Sequence, residues 1–201
     1  MVKNKNIKLS LKEKILKFLI ENKEPLSILQ ISKQLNTDYK NVFNVIRSYS
    51  DLLIKDKRGN TSFIEIKGSP NPEIFNIEQK RREEFLSKNP QLKIASEYIT
   101  EINYPFMIVL VFGSYAKRTN TIHSDLDICV ISDNKEKANK LVNSLGILSL
   151  KMEIQEFTTD EFASMISKRE NNLGHEIIKN NVILYGTENY YNLISKWMKK
   201  E

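Results

Sequence analysis

In LSLKEKILKFLIENK the apolar residues Leu11, Ile15, Phe18 and Leu19 recur at helical spacing behind Ser10, a residue suited to an N-cap, and the pattern predicts a helix over 10–22. Next, PLSILQISKQL carries Ser27 three residues before Gln30, a capping-box spacing, with Ile28, Ile31 and Leu35 as one apolar stripe. A short second helix follows from it. After the turn NTD, YKNVFNVIRSYSDL places Val42, Phe43, Val45, Ile46 and Leu53 on a face to be buried, and leaves Tyr39, Lys40, Asn41, Asn44, Arg47 and Ser48 outside. LIKDKRGNTSFIEIK then reads as two short strands about a turn of Arg58, Gly59 and Asn60, with Phe63, Ile64 and Ile66 in the returning strand.

The pattern breaks at GSPNPE, 68–73, where two prolines, a glycine and short polar residues mark a linker. EIFNIEQKRREEFLSKN predicts a helix with Ile74, Ile77 and Phe85 on one side, and its basic triplet Lys80, Arg81 and Arg82 is expected on a solvated face paired with Glu83 and Glu84. QLKIASEYITEI predicts another helix. Beyond Pro105, FMIVLVF is too short and too β-branched for anything but a buried strand, and it opens onto Gly113-Ser114. DLDICVI resumes as a strand, and Leu148, Leu150, Met152 and Ile154 alternate with Lys151, Glu153 and Gln155 in another. EIIKNNVILYG gives a helix and then a strand, whose end at Leu184 to Gly186 is expected to be structural. In ENYYNLISKWMKK, Tyr190, Leu193, Ile194 and Trp197 line one side of a last helix that either packs within the chain or pairs two copies as a homodimer.

Composition sharpens this outline in two ways. The 201 residues, 40 % of them hydrophobic, suffice for one large or two small domains with real cores, and the longest apolar run, Tyr104 to Phe112, has 9 residues, too few to span a membrane. No membrane partner is expected. Neither is a secretory leader, because no apolar stretch follows the basic start MVKNKNIKLS; the single Cys129 is read as a small residue near the core, and the protein as cytoplasmic. Charge is divided unevenly: residues 1–68 hold 14 Lys and Arg against 7 Asp and Glu, whereas 69–201 hold 17 against 18. The first part is therefore the one expected to meet a polyanion.

Three helices and a hairpin on a basic segment resemble the winged helix-turn-helix domains of archaeal and bacterial regulators over residues 8–67. That resemblance implies DNA binding, with Lys40, Asn41, Asn44 and Arg47 of the third helix in a major groove and Lys55, Lys57 and Arg58 of the wing on phosphates. Such domains also serve as protein-docking modules.

The chemistry is concentrated in GSYAKRTNTIHSDLDICV, 113–130. Period two puts Asp125 and Asp127 on one face of a strand, where two carboxylates repel each other unless a cation neutralises them. Carboxylate oxygens favour a hard ion, magnesium or manganese, that completes its shell with substrate phosphates. Glycine lets backbone approach a ligand, so Gly113 and Ser114 at the start of a helical turn read as a phosphate cradle, and the ligand as a nucleoside triphosphate. His123 and His175 are expected to be an exposed loop residue and a local helix stabiliser.

Gly113-Ser114, then ten residues, then Asp125-x-Asp127 closely resembles the signature of the polymerase β-like nucleotidyltransferase superfamily, in its minimal nucleotidyltransferase branch, over residues 92–187. The resemblance implies an α/β (α+β) fold with a small mixed sheet and a third carboxylate, for which Glu153 is the first choice and Glu156 the competitor. It implies attack of an acceptor hydroxyl on the α-phosphate, most plausibly AMP transfer from ATP. Asp125, Asp127 and Glu153 would hold one or two Mg2+ or Mn2+ ions, and Ser114, Lys117 and Arg118 would bind the triphosphate. Many relatives have glycine where this chain has Arg118, whose side chain either clamps phosphate or obstructs it. Some relatives adenylylate a paired HEPN-domain toxin; others modify antibiotics or RNA. The resulting organisation is a winged helix over 1–68, a linker and connecting helices over 69–104, and a nucleotidyltransferase domain over 105–201. The competing reading is a DNA-binding regulator that senses nucleotide without turning it over.

Overall fold

The structure, a computed structural model, describes residues 9–168 and 170–198, with Trp197 and Met198 described in backbone only. Chain contacts divide it into two compact units, residues 1–77 and 78–201.

In the first unit, helix α1 (Leu11–Glu21) starts at Ser10, whose side chain and that of Glu13 satisfy each other's backbone amides in a capping box. It buries Ile15, Leu16, Leu19 and Ile20, while Leu11 and Phe18 are only half-buried. The face is thus rotated from the predicted stripe, because apolar residues cover much of this helix and its packing partners select which of them lie deepest. Strand β1 (Leu26–Ser27) leads into α2 (Ile28–Gln34) through the capping box of Ser27 and Gln30. Helix α3 (Tyr39–Ser48) buries Val42, Val45 and Ile46, and β2 (Leu53–Arg58) pairs with β3 (Thr61–Ile66) around Gly59-Asn60. The antiparallel order is β1-β3-β2. Two-residue β1 is too short for any sequence period to mark. Phe43, expected inside, is 40 % exposed: it follows Val42 by one residue, about 100° around the helix, and so leaves the buried stripe.

Helix α4 (Pro72–Lys88) buries Ile74, Ile77 and Phe85 as predicted. Its basic triplet does not lie on a solvated face. Arg81 is 8 % exposed and Glu78 2 %, with their side chains 2.5 Å apart. Arg81 also donates to the Asn181 carbonyl at 2.9 Å, and Arg82 to that of Leu184 at 3.0 Å. Tyr191 donates to Glu78 at 2.6 Å, and the Asn181 amide donates to the Tyr190 hydroxyl at 2.9 Å. Glu78, at helical spacing, is the carboxylate that Arg81 meets, whereas the carbonyls of Asn181 and Leu184 lie about a hundred residues away, where helical spacing could not reveal them.

The second unit continues with a 3-10 turn (Pro90–Leu92) and α5 (Lys93–Glu101), then the strand β4 (Ile108–Val111). A five-residue helix α6 (Gly113–Lys117) and a loop lead to β5 (Leu126–Ile131). Helix α7 (Lys135–Gly146), β6 (Met152–Phe157), α8 (Thr159–Ile166), α9 (Leu173–Lys179), β7 (Val182–Tyr185) and α10 (Thr187–Met198) complete it. The sheet order is β6-β5-β4-β7: β4 is antiparallel to β5 and β7, and β5 parallel to β6. This is the small mixed sheet that was expected.

Both faces of its centre are covered, which is why MIVLVF reads as unbroken apolar sequence, whereas Phe106, expected in the buried strand, precedes β4 and is 70 % exposed. Val109, Val111, Leu126, Ile128 and Val130 join Ala95 and Ile99 of α5 and Leu141 and Leu145 of α7 in one core. Leu110 and Cys129, paired across β4 and β5, have the opposite parity and are also buried. The apolar side of α10 is used within the chain, since Tyr190, Leu193 and Ile194 are buried; the Trp197 side chain lies outside the described residues. Gly186 is structural: its φ is +75° and a Cβ there would stand 2.1 Å from the Met107 carbonyl.

Arg81→Ala would leave the Glu78 carboxylate buried without its cation, an expected loss of about 3–5 kcal/mol. Tyr191→Phe removes one hydrogen bond to a charged acceptor and should cost about 1.5–3 kcal/mol. Urea unfolding measures both; a loss for Arg81→Ala no larger than for exposed Lys93→Ala would show that the network contributes nothing.

Candidate functional site

The site forms where β4 ends and β5 begins. Antiparallel pairing sets Val111 opposite Ile128 and the Phe112 amide on the Asp127 carbonyl at 3.0 Å, so the turn after β4 folds back over the first residues of β5. Gly113 is required there twice over. Its φ is +64°, and an added Cβ would lie 1.8 Å from Asp127 Oδ2, where no atom fits. The Ser114 amide donates to the Asp127 carboxylate. Its hydroxyl has no partner among the described residues.

Parallel pairing of β5 with β6 sets Asp127 opposite Glu153 and Val130 opposite Glu156. Alternation therefore places Glu153 and Gln155 on the face of Asp127, and Glu156 on the other parity, with Met152 and Ile154. Gln155 donates to Glu153 at 2.8 Å and holds it along the strand. Partial burial first, then the charges of Glu153 and Asp125, raise the Asp127 carboxyl above its ordinary value; the Ser114 bond opposes them, and Glu176 adds to the rise.

Asp125 stands just ahead of β5. Its Oδ1 is shielded from water and takes no well-directed hydrogen bond, but the Lys151 ammonium lies 2.6 Å from it. Lys151 is itself 78 % exposed, so this cation is free to leave. Among the described residues no three His, Cys, Asp or Glu side chains converge closely enough to hold a metal ion. The donor set nonetheless fits a hard divalent cation: only carboxylate oxygens, with one of them already facing an exchangeable positive charge.

Of the expected phosphate ligands, Lys117 is 2.6 Å from Glu176 of α9, and Arg118 is 3.8 Å from Glu84 of α4. Arg118 ends α6 with φ +58° and ψ 31°, a left-handed conformation in which glycine is the usual residue. Lys151, Glu176 and Gln155 were not among the expected site residues. Gln155 and Lys151 carried a signal in the alternation with Glu153, whereas nothing local connects Glu176 to Asp127. His123 is exposed in the loop, and His175 bonds the Ile166 carbonyl at 3.2 Å, tying α9 to α8.

The expected nucleic-acid residues lie in the other unit. Lys40, Asn41, Asn44 and Arg47 are all exposed on α3, beside Tyr39 and Phe43, while Lys55, Lys57 and Arg58 are exposed on β2. Arg58 is engaged by Asp56 at 2.7 Å and lies over the Phe63 ring.

Comparison with known proteins meets this site. Residues 93–190 match the family model described as polymerase beta, nucleotidyltransferase. A Methanocaldococcus jannaschii protein provisionally named a protein adenylyltransferase is 32 % identical over 98 residues, which cover 46 % of this chain and 70 % of that protein. No solved structure matches with comparable significance.

Gly113→Ala should destabilise the second unit and abolish site function together, as read by melting and nucleotide binding. Arg118→Gly should stabilise by at most about 1 kcal/mol, because the left-handed penalty of about 1–2 kcal/mol is partly offset by glycine's larger entropy loss. Asp127→Asn tests the raised carboxyl. A carboxyl raised on folding weakens the fold where it is ionised, and that penalty vanishes as pH falls through the folded value. Without metal, Asp127→Asn should therefore melt higher than wild type at neutral pH, and the gap should close on acidification; a gap that widens would contradict the assignment.

Proposed function

This chain belongs to the polymerase β nucleotidyltransferase family and is a nucleotidyltransferase, and on that premise we propose that it transfers AMP from ATP to a hydroxyl group of a protein. The observation carrying this reading is the seating of the Asp127 carboxylate on side-chain-free Gly113, with Asp125 two residues before it and Glu153 opposite. The provisional name of the archaeal relative supports a protein as the acceptor class.

In this reading Asp125 and Asp127 hold Mg2+ or Mn2+, with Glu153 beside them, and Lys151 yields its place at Asp125. Such an ion would supply charge to neutralise the phosphates and to acidify the acceptor hydroxyl. Ser114 supplies its hydroxyl to the triphosphate, and Lys117 exchanges Glu176 for the β- and γ-phosphates, with Arg118 following from the same turn. The acceptor oxygen forms a bond to the α-phosphorus in line with the departing bridge oxygen. Pyrophosphate leaves, and Glu153 takes the acceptor proton.

The minimal nucleotidyltransferase branch is part of this reading, supported by the short mixed sheet and the Gly113-Ser114 to Asp127 spacing. A HEPN-type toxin as the acceptor rests on resemblance to that branch. For residues 1–68 we propose a winged helix that binds DNA, followed by connecting helices over 69–104 and the transfer domain over 105–201. The order α1-β1-α2-α3-β2-β3 and the exposed polar face of α3 support the first assignment. A cytoplasmic setting agrees with Cys129 being free and buried, and no helix among the described residues is long and apolar enough to cross a membrane.

Incubation with each of the four α-labelled nucleoside triphosphates, with and without Mg2+, in purified form and in cell extract, tests the reading. Label from ATP should appear on a protein, and Asp125→Asn, Asp127→Asn and Glu153→Gln should each lower transfer at least about a hundredfold. Full transfer by Asp127→Asn, or label entering only a small molecule or RNA, would sink it. DNA binding predicts a gel shift whose affinity falls steeply with salt and weakens on Arg47→Gln; no shift at low salt would remove that part alone.

A further inference from the structure

The first unit contains a cleft of about 350 Å³ between α3 and the strands β2 and β3. Its floor is core: Ile28, Ile46, Leu53 and Ile64 line it and are themselves buried. Phe43 forms a wall, kept outside the core by the helix period, and its ring is stacked on that of Tyr39 with centroids 6.4 Å apart. Arg47 and Lys55 stand at the rim, exposed, and neither has a hydrogen-bond or ion-pair partner among the described residues. Other cations of the same unit do find carboxylates, as Lys17 finds Glu21 and Arg58 finds Asp56. An apolar floor beneath two unpaired cations is complementary to a molecule with an apolar body and one anionic end.

We propose that this cleft binds a small amphipathic carboxylate, an aromatic or medium-chain aliphatic acid. Its tail lies on Ile28, Ile46, Leu53 and Ile64 against Phe43, and its carboxylate pairs with Arg47 and Lys55. The volume falls in the range of small-molecule sites. The chain's own first residues are a poor occupant, because Lys3, Lys5 and Lys8 would face Arg47 and Lys55 with no acid among residues 1–10. Nucleic acid satisfies the rim cations but leaves the aliphatic floor uncovered. A bound acid would occupy Arg47, proposed for the major groove, and Lys55, proposed for phosphate contact, so the cleft is a place where a metabolite acid competes with DNA. All of its lining residues lie in the first unit, so the proposal does not rest on nucleotidyl transfer.

Calorimetry on the full chain without nucleotide tests this with octanoate and 2-naphthoate as probes and 1-octanol as the uncharged control. At least one acid should bind saturably, one to one, with negative heat-capacity change, and the alcohol should bind about tenfold more weakly or not at all. Arg47→Gln and Lys55→Gln should each weaken the acid about tenfold, and Phe43→Asp should abolish binding. Both rim positions are exposed, so if Phe43→Asp fails to fold the two glutamine variants still decide. No saturable heat from either acid, equal binding by the alcohol, or undiminished binding in Arg47→Gln/Lys55→Gln would overturn the proposal. So would an acidic amphipathic peptide that binds there while both acids fail, since the cleft would then be a protein-docking surface.

Discussion

The Asp127 carboxylate sits where it does only because residue 113 has no side chain. A Cβ at that position would stand 1.8 Å from Asp127 Oδ2, and the positive φ of Gly113 is the conformation that turns β4 back over β5. The Ser114 amide then reaches the same carboxylate. Parallel pairing of β6, which needs the crossover through α7, brings Glu153 opposite. The turn at Gly113-Ser114, the start of β5 and the more distant β6 thus meet at one carboxyl group.

Such a gathering of like charge is unfavourable by itself, and the molecule meets it with cations that are loosely held. Lys151 lies against Asp125, and Lys117 against Glu176, both on exposed side chains. Exposed pairs of this kind contribute little to stability, so exchanging them for other ions is cheap. A site proposed to take up divalent ions and a polyphosphate requires such exchangeable partners. The raised Asp127 carboxyl reflects the same crowding, since neighbouring carboxylates add to the effect of burial.

The permanent charges of the fold are arranged differently. Glu78 and Arg81 are buried, bound to each other and to Tyr191 and the Asn181 carbonyl, and they fix the second half of α4 against β7 and α10. A buried pair of this type is weak evidence for net stability but costly to break. Its position in the middle of a charged run shows how a helix that looks like a solvated spacer becomes part of a core.

Much of the architecture was legible in local sequence. Capping at Ser10 and Ser27, the turn at Gly59, the buried strand after Pro105 and the spacing from Gly113-Ser114 to Asp127 all depend on residues close together in the chain, where helix and strand periods act. Tertiary structure decided the rest. It exposed Phe43, buried Arg81, and turned the strand Leu26–Ser27 into the edge of a sheet. Between Glu153 and Glu156 both residues fit an alternating strand, and only the pairing of β6 against β5 puts the first on the face of Asp127. The sequence by itself determined which chemical groups are present and how they are spaced within each segment. Which groups meet across segments, as Lys117 meets Glu176 and Lys151 meets Asp125, was decided by the fold, because such contacts depend on packing and strand register that no local period encodes.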